Sequence, residues 1–207
     1  MLAIIQARSS SKRFKNKAMF EIRNKPLIWY VYNSVRKSKY VKKIIISTSK
    51  DNSDNLLVNF LKNNKINYFR GSLVNVAERL YKTAKKNKSD FFIRISGDSP
   101  LIYSKVINRA IETHRKSKRQ NYDIITNVFP RSFPPGQSVE IIKTSALKKI
   151  LSFNLSNSCK EHVTKFFYQK NKLFKIKNFK SNFNFKKKKY SIDTVKDFEN
   201  LKQLIKK

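Results

Sequence analysis

Two aspartates stand out in this 207-residue chain, whose 13 acidic residues face 47 Lys and Arg. Asp98 lies in Ile95-Ser-Gly-Asp-Ser-Pro-Leu101 and Asp193 in Ile192-Asp-Thr194, each directly after an apolar run that reads as a strand. Two carboxylates at strand ends can hold a Mg²⁺ through few protein ligands, leaving its other positions to water and phosphate oxygens. The same residues also read as a turn former before Pro100 and as a cap of the last helix. A third segment, Gln6 to Lys17, runs Gln-Ala-Arg-Ser-Ser-Ser-Lys-Arg-Phe-Lys-Asn-Lys. Its small residues expose backbone N–H groups, and Arg8, Arg13 and Lys17 supply cations, a combination that cradles a triphosphate. It contains no glycine, so it is neither a Walker A loop nor a dinucleotide fingerprint.

The elements that must position these groups are legible from periodicity. Leu2 to Gln6 is a short apolar run of the kind buried in a parallel sheet. Pro26 to Val35 places Leu27, Tyr30, Val31 and Ser34 at helical spacing, with proline suited to the first turn. Strands are expected at Lys43–Thr48, Ile66–Phe69 and Phe91–Ile95, and helices at Ser53–Asn63 (capped by Asn52 or Ser53), Val74–Lys86 and Ser104–Lys116. This alternation predicts an α/β domain with a mostly parallel sheet. Beyond Tyr122 the order is less regular. Strands are expected at Tyr122–Thr126, Val139–Ile142, Phe174–Ile176 and Tyr190–Ile192, and helices at Thr144–Leu151, Cys159–Gln169 and Val195–Ile205.

Only three glycines occur, Gly71, Gly97 and Gly136, so each is expected where backbone geometry or a close approach demands one. Gly97 precedes Asp98 at a strand end, where ligands bind in open α/β sheets. The net charge of +34 is the footprint of a nucleic-acid binder. However, 36 of the 47 cations are Lys, Asn is inflated to 21, and the lysines are spread along the chain, as compositional drift would spread them. A dedicated phosphate reader favours Arg. The field still steers anionic nucleotides toward the protein, and nucleic-acid contact beyond non-specific electrostatics is not expected. The densest run, Lys186 to Lys189, reads as a solvated turn. A single cysteine, Cys159, excludes an internal disulfide and a thiol-rich metal site. No apolar run reaches the roughly 18–20 residues of a membrane span, and the start is a poor signal peptide, so a cytoplasmic protein is expected.

Ile4-Ile-Gln-Ala-Arg8, with Arg13 and Lys17 following, resembles the opening of the cytidylyltransferases that make CMP-activated sugars. Members of that family include CMP-Kdo synthetases, acylneuraminate cytidylyltransferases and spore-coat polysaccharide cytidylyltransferase-like proteins. The resemblance continues in order through Asn24-Lys-Pro-Leu27, Ile46-Ser-Thr-Ser49, Phe69-Arg-Gly-Ser72 and Glu78-Arg79. It then takes in Arg94-Ile-Ser-Gly-Asp-Ser-Pro-Leu101, Pro130-Arg131, Val139-Glu140, Glu161-His-Val-Thr164 and Ile192-Asp-Thr194. It covers residues 2 to about 203, and Arg-Gly-Ser and Glu-His-Val-Thr read like the spore-coat branch.

The resemblance implies a Rossmann-like sheet of the nucleotide-diphospho-sugar transferase type with a smaller, irregular C-terminal lobe. In one domain, residues 1–120 would serve the nucleotide, and 121–207 the sugar and dimer contacts. It implies that Arg8, Arg13 and Lys17 hold the CTP phosphates, that Ala7 and Ser10 also bind the nucleotide, and that Arg70, Gly71 and Ser72 lie near cytosine and ribose. Asp98 and Asp193 would carry Mg²⁺ and, with Lys17, form the catalytic set. Arg131, Gln137, Glu140, Glu161 and His162 would face the sugar. The implied reaction is CTP plus an acidic sugar giving CMP-sugar and pyrophosphate, for surface polysaccharide synthesis. A sugar-phosphate or alditol-phosphate nucleotidyltransferase and a basic nucleic-acid binder are the alternatives. This chain departs from its relatives at Ser10 (usually Gly), at Lys15-Asn16 (usually Pro-Gly) and at Ser138 (often Asp).

Overall fold

The computed structural model describes residues 1–10, 14–182 and 189–206. Arg13 and most of the Lys186–Lys189 run therefore lie outside the described residues. The strands are β1 (Leu2–Gln6), β2 (Glu21–Ile22), β3 (Lys25–Pro26), β4 (Lys43–Ser49), β5 (Tyr68–Gly71), β6 (Phe91–Ser96), β7 (Ile124–Thr126), β8 (Glu140–Lys143) and β9 (Ile176–Asn178). The helices are α1 (Leu27–Arg36), α2 (Asn55–Asn63), α3 (Val76–Lys86), α4 (Ser104–Lys116), α5 (Thr144–Leu151), α6 (Asn157–Glu161), α7 (Lys165–Gln169) and α8 (Val195–Lys206). Seven strands form one sheet in the order β5-β4-β1-β6-β8-β7-β9. Only β8 runs antiparallel to its neighbours, so the sheet is mostly parallel, as the alternation predicts.

The period-2 geometry of a strand divides the core into two layers. Ala3, Ile5, Ile44, Ile46, Ile93 and Ile95 face one side and pack with Ile28 and Val31 of α1, Leu57 and Leu61 of α2, and Ile107 and Ile111 of α4. Leu2, Ile4, Ile45 and Phe92 face the other and pack with Ala77 and Leu80 of α3, Leu147 and Ile150 of α5, and Phe167 of α7. Strands buried on both faces read as continuous apolar runs, which is why β1, β4 and β6 are evident in the sequence. A third, smaller cluster joins Phe14, Ile22, Leu27, Ile192, Phe198 and Leu201, and ties α8 to the start of the chain.

Several expectations need correction, and the strands expected at Ile66–Phe69 and Phe174–Ile176 run instead over Tyr68–Gly71 and Ile176–Asn178. Tyr190–Ile192 is not a strand. Its N–H groups go to two different loops, Tyr190 N to Pro135 O (2.7 Å) and Ile192 N to Asp98 O (2.9 Å), so no ladder forms. The helix expected over Cys159–Gln169 is two short ones, with His162 at φ −96°, ψ 79° between them. The break lets β-branched Val163, which resists a helix, enter the core while Glu161 and His162 face a cleft. The helix expected from Ser53 begins with a 3₁₀ turn, Asn52–Asp54, capped by Asp51 rather than Asn52 or Ser53. The β2–β3 hairpin carries no sequence signal of the Asn-Gly kind, because Arg23 (φ 48°) and Asn24 (φ 58°) make its turn.

Candidate active site

The site forms at the carboxyl ends of β1, β4 and β6. The turn after β6 presses onto the end of β1, with Gly97 N bonded to Gln6 O at 2.8 Å. A Cβ at residue 97 would lie 2.8 Å from Gln6 O and 2.9 Å from Ala7 Cβ, so the close approach requires glycine. Asp98 leaves this turn half-buried, and its Oδ2 accepts from Lys17 Nζ at 3.0 Å. Lys17 Nζ also donates to Ile192 O at 3.0 Å, and Ile192 N to Asp98 O. These bonds draw the Asp193 segment to Asp98 from 95 positions further along the chain. Gly136 makes room for it, since a Cβ there would fall 2.2 Å from the carbonyl carbon of Tyr190. Burial pushes the Asp98 carboxyl up, but the Lys17 charge and hydrogen bonds from Ser96, Lys17 and Ser99 outweigh burial and hold it below the ordinary aspartate value.

Asp193 is not the cap of the last helix. Thr194 Oγ1 accepts from Asp197 N (3.2 Å), and Asp197 Oδ2 accepts from Thr194 N (3.0 Å) in a reciprocal capping box. Asp197 Oδ2 also takes Asp193 N (3.0 Å), which fixes the backbone that carries the Asp193 carboxylate. That carboxylate pairs with Lys189 at 3.1 Å.

The loop after β1 is held by a residue that sequence reading treats only as part of a helix start. Asp54 is fully buried and accepts from Ser9 N (2.6 Å), Ser49 N (3.0 Å) and the Ser49 hydroxyl. It staples the cationic loop to the end of β4. Asn16 closes the loop, with its N–H on Ser9 O at 2.8 Å and φ 57°. Asn tolerates the left-handed conformation, so it can make this turn without a glycine. Burial raises the Asp54 pKa, but the hydrogen bonds from Ser49 and Ser9 prevail and keep it below the usual value. Its stabilising contribution is therefore full above the unfolded-state pKa of about 3.9 and disappears as pH falls through the lower folded-state value. Asp54→Asn replaces an acceptor by a donor opposite N–H groups and should cost about 2–4 kcal/mol, from charged hydrogen bonds lost and donors left unpaired. Urea unfolding at pH 7 measures it. A loss below about 1 kcal/mol would mean the staple carries little, and the wild type–variant gap should narrow in acid.

Two adjoining cavities open at this edge. One, of about 240 Å³, is lined by Gln6, Ala7, Arg8, Lys17, Val76, Arg79, Arg94, Asp98, Glu161, His162 and Asp193, among others. The second, of about 610 Å³, is lined by Arg94, Asp98, Arg131, Ser138, Glu140, His162, Lys165, Tyr168 and Asp193, among others. Arg94, Ser96, Asp98, His162 and Asp193 belong to both, so the aspartates sit at the seam. The structure thus brings together Ala7, Arg8, Lys17, Asp98, Asp193, Glu161 and His162 at the first cavity, and Arg131 and Glu140 at the second. Glu161 pairs with Arg8 across the first cavity.

Other expected residues are placed elsewhere. Arg70 is turned to the end of β4, with Nε on Ser49 O (2.8 Å) and Nη2 on Asp51 O (2.9 Å). Ser72 Oγ accepts from Asn75 N (2.9 Å) before α3. Neither residue lines either of these two cavities, nor do Gly71 and Ser10. Gln137 is fully buried and braces a loop, accepting from Tyr103 N (2.9 Å) and donating to Leu101 O (2.7 Å), rather than facing the second cavity. Arg79, Arg94 and Tyr168 line the cavities without having been singled out. A cation at the centre of the apolar run Phe91–Ser96 is the signal that marks Arg94.

Comparison with known proteins identifies the family. The cytidylyltransferase family model matches residues 2–207. An uncharacterized protein of Methanocaldococcus jannaschii is 31% identical over 201 residues, 96% of this chain and 80% of its own length. The spore coat polysaccharide biosynthesis protein SpsF of Bacillus subtilis is 27% identical over 214 residues, 100% of this chain and 87% of its own. A cytidylyltransferase structure from Leptospira borgpetersenii superposes with TM-score 0.93 at 27% identity, covering 99% of this chain and 86% of that one. With a family model matched from residue 2 to the last residue, the chain belongs to the cytidylyltransferases and is a nucleotidyltransferase enzyme.

Proposed function

We propose that the enzyme transfers CMP from CTP to an acidic sugar, releasing pyrophosphate, in surface polysaccharide synthesis. The observation that carries this reading is the seam: a cavity lined by Arg8 and Lys17 and a second lined by Arg131 and Lys165 meet at Asp98 and Asp193. A sugar oxygen attacks the α-phosphorus of CTP, a new P–O bond forms, and the bond to the pyrophosphate oxygen breaks. The chain's task in such a transfer is positioning and charge neutralisation. Arg8 and Lys17 take the phosphates, and Lys17, already bonded to Asp98, tethers that end of the cavity. On the sugar side, Arg131 Nη1 donates to Ser138 Oγ (3.1 Å) and Lys165 Nζ to Ser158 Oγ (2.8 Å). Among the described residues neither cation is ion-paired, which suits a carboxylate-bearing acceptor. Ser138, where relatives often carry Asp, leaves Arg131 its charge. The halves of the chain divide the work near residue 120, with Glu161 and His162 reaching back to the nucleotide side.

Asp98 and Asp193 would hold Mg²⁺. Their oxygens are hard donors, and among the described residues no cluster of three or more His, Cys, Asp or Glu competes for a softer ion. Bound there, Mg²⁺ would offset charge on the phosphoryl oxygens. A thermal-shift panel tests the nucleotide. A ligand at roughly 100 times its Kd stabilises the folded state by about 2.7 kcal/mol. CTP with Mg²⁺ should raise Tm more than ATP, GTP or UTP. Equal shifts from all four would reduce the assignment to bare electrostatics.

A further inference from the structure

Arg79 is 1% exposed, which makes it the largest fully buried side chain among the described residues. Its stem crosses β5 at Gly71, where a Cβ would fall 2.8 Å from Arg79 Cγ, so that glycine exists to let the stem through. The head is under-satisfied. Nη1 donates to Ser72 O at 2.7 Å, and among the described residues Nε has no partner and no carboxylate forms an ion pair with it. Burial lowers the guanidinium pKa to about 10, with the Asp54 charge opposing that fall and the Arg8 charge adding to it. A buried donor without an acceptor is costly, and this one lines the first cavity beside Val76 and Ala7.

We propose that Arg79 reads the O2/N3 edge of cytosine, using the guanidinium donors that no protein group accepts. This rests on the CTP reading above. The fork of an arginine matches two adjacent in-plane acceptors. Cytosine offers that pair, whereas uracil presents an N3–H donor that would meet the guanidinium head-on. A phosphate fits less well, because the Asp54 charge near Arg79 repels an anion but leaves a neutral base edge untouched. Val76 and Ala7 supply apolar wall for the ring faces. Arg8 and Lys17, both half-buried and Lys17 bonded to Asp98, remain for the phosphates. Arg79 thus takes the role expected of Arg70, whose Nε and Nη2 are turned to Ser49 O and Asp51 O and which lines neither cavity.

The test is calorimetric binding with Mg²⁺ to the wild-type protein and to Arg79→Met, which keeps the apolar stem. The probes are CTP, UTP, 3-deaza-CTP (no N3 acceptor), the pyrimidin-2-one riboside triphosphate (no 4-amino group) and inorganic tripolyphosphate. Wild type should bind 3-deaza-CTP and UTP at least tenfold more weakly than CTP, and the pyrimidinone nucleotide within about tenfold of CTP. Arg79→Met should bind CTP and UTP alike and tripolyphosphate as wild type does. Equal wild-type affinity for CTP and 3-deaza-CTP, a retained CTP preference in the variant, or equal losses of CTP and tripolyphosphate would overturn the assignment. Should the variant fail to fold, the wild-type analogue series decides. A wild type that binds CTP and UTP equally refutes the CTP reading itself, whereas CTP preference without N3 dependence refutes only Arg79.

Discussion

Asp98→Asn is expected to lower the rate of CMP-sugar formation by roughly 10²–10⁴ while leaving CTP affinity nearly intact. The substitution preserves shape and removes one charge from the seam between the cavities. Charge stabilisation that grows toward the transition state affects turnover, whereas uniform binding affects only KM. A loss of about 3–5 kcal/mol at about 1.36 kcal/mol per decade gives that range. CTP binding is expected to suffer less, because Arg8 still lines the first cavity and Lys17 keeps its bond to Ile192 O. Asp193→Asn should behave alike, and the double variant should be little worse than either single one, since residues acting as a unit are not additive. Pyrophosphate release under saturating CTP measures the effect. Near wild-type turnover by Asp98→Asn would remove Asp98 from the chemistry and leave it as a turn residue that anchors Lys17.

How far the site can be read from the sequence depends on whether a residue's partner is local. The apolar runs of β1, β4 and β6 announce themselves, and α4 and α5 match their expected bounds, because periodicity is a local property. Asp98 is legible for the same reason: glycine, aspartate and a strand end lie within a few residues. The placements that differ from expectation depend on distant backbone. Arg70 looks free in sequence, and only the parallel pairing of β5 with β4 reveals that Ser49 and Asp51 carbonyls accept from its Nε and Nη2. Gln137 resembles a polar ligand-facing residue until the fold places it against Leu101 and Tyr103. Asp54 reads as part of a helix start, yet its partner Ser9 is 45 positions away. The glycine-poor composition adds a further obscurity. Left-handed turns at Asn16, Arg23, Asn24, Lys65, Lys88 and Asn121 carry no glycine to mark them.

Glu140→Gln is the largest stability effect expected in the molecule. Arg94 and Glu140 face each other across the antiparallel β6–β8 pair and form an ion pair. Their side chains are 15% and 2% exposed, so water screens the pair poorly. Arg94 Nε also donates to Gln6 Oε1 (2.8 Å), and Tyr168 Oη donates to Glu140 Oε1 (2.5 Å), with Phe129 stacked on the tyrosine ring. Burial and the Glu140 charge push the Tyr168 phenol well above its ordinary range, so it stays a donor at any working pH. The network therefore pins Gln6, Arg94 and Tyr168, three cavity residues, to one carboxylate. Removing that charge leaves Arg94 buried and uncompensated, at a cost of about 3–5 kcal/mol. The urea midpoint should fall with the slope unchanged. Replacing both partners, Arg94→Met with Glu140→Leu, should recover most of the stability, because two desolvated charges disappear together. Activity should not return with it, since Arg94 lines both cavities and the apolar pair offers substrate no hydrogen bond. A Glu140→Gln loss under about 1 kcal/mol would show the pair behaving like a surface bridge, and a double variant with full turnover would show the network to be structural alone.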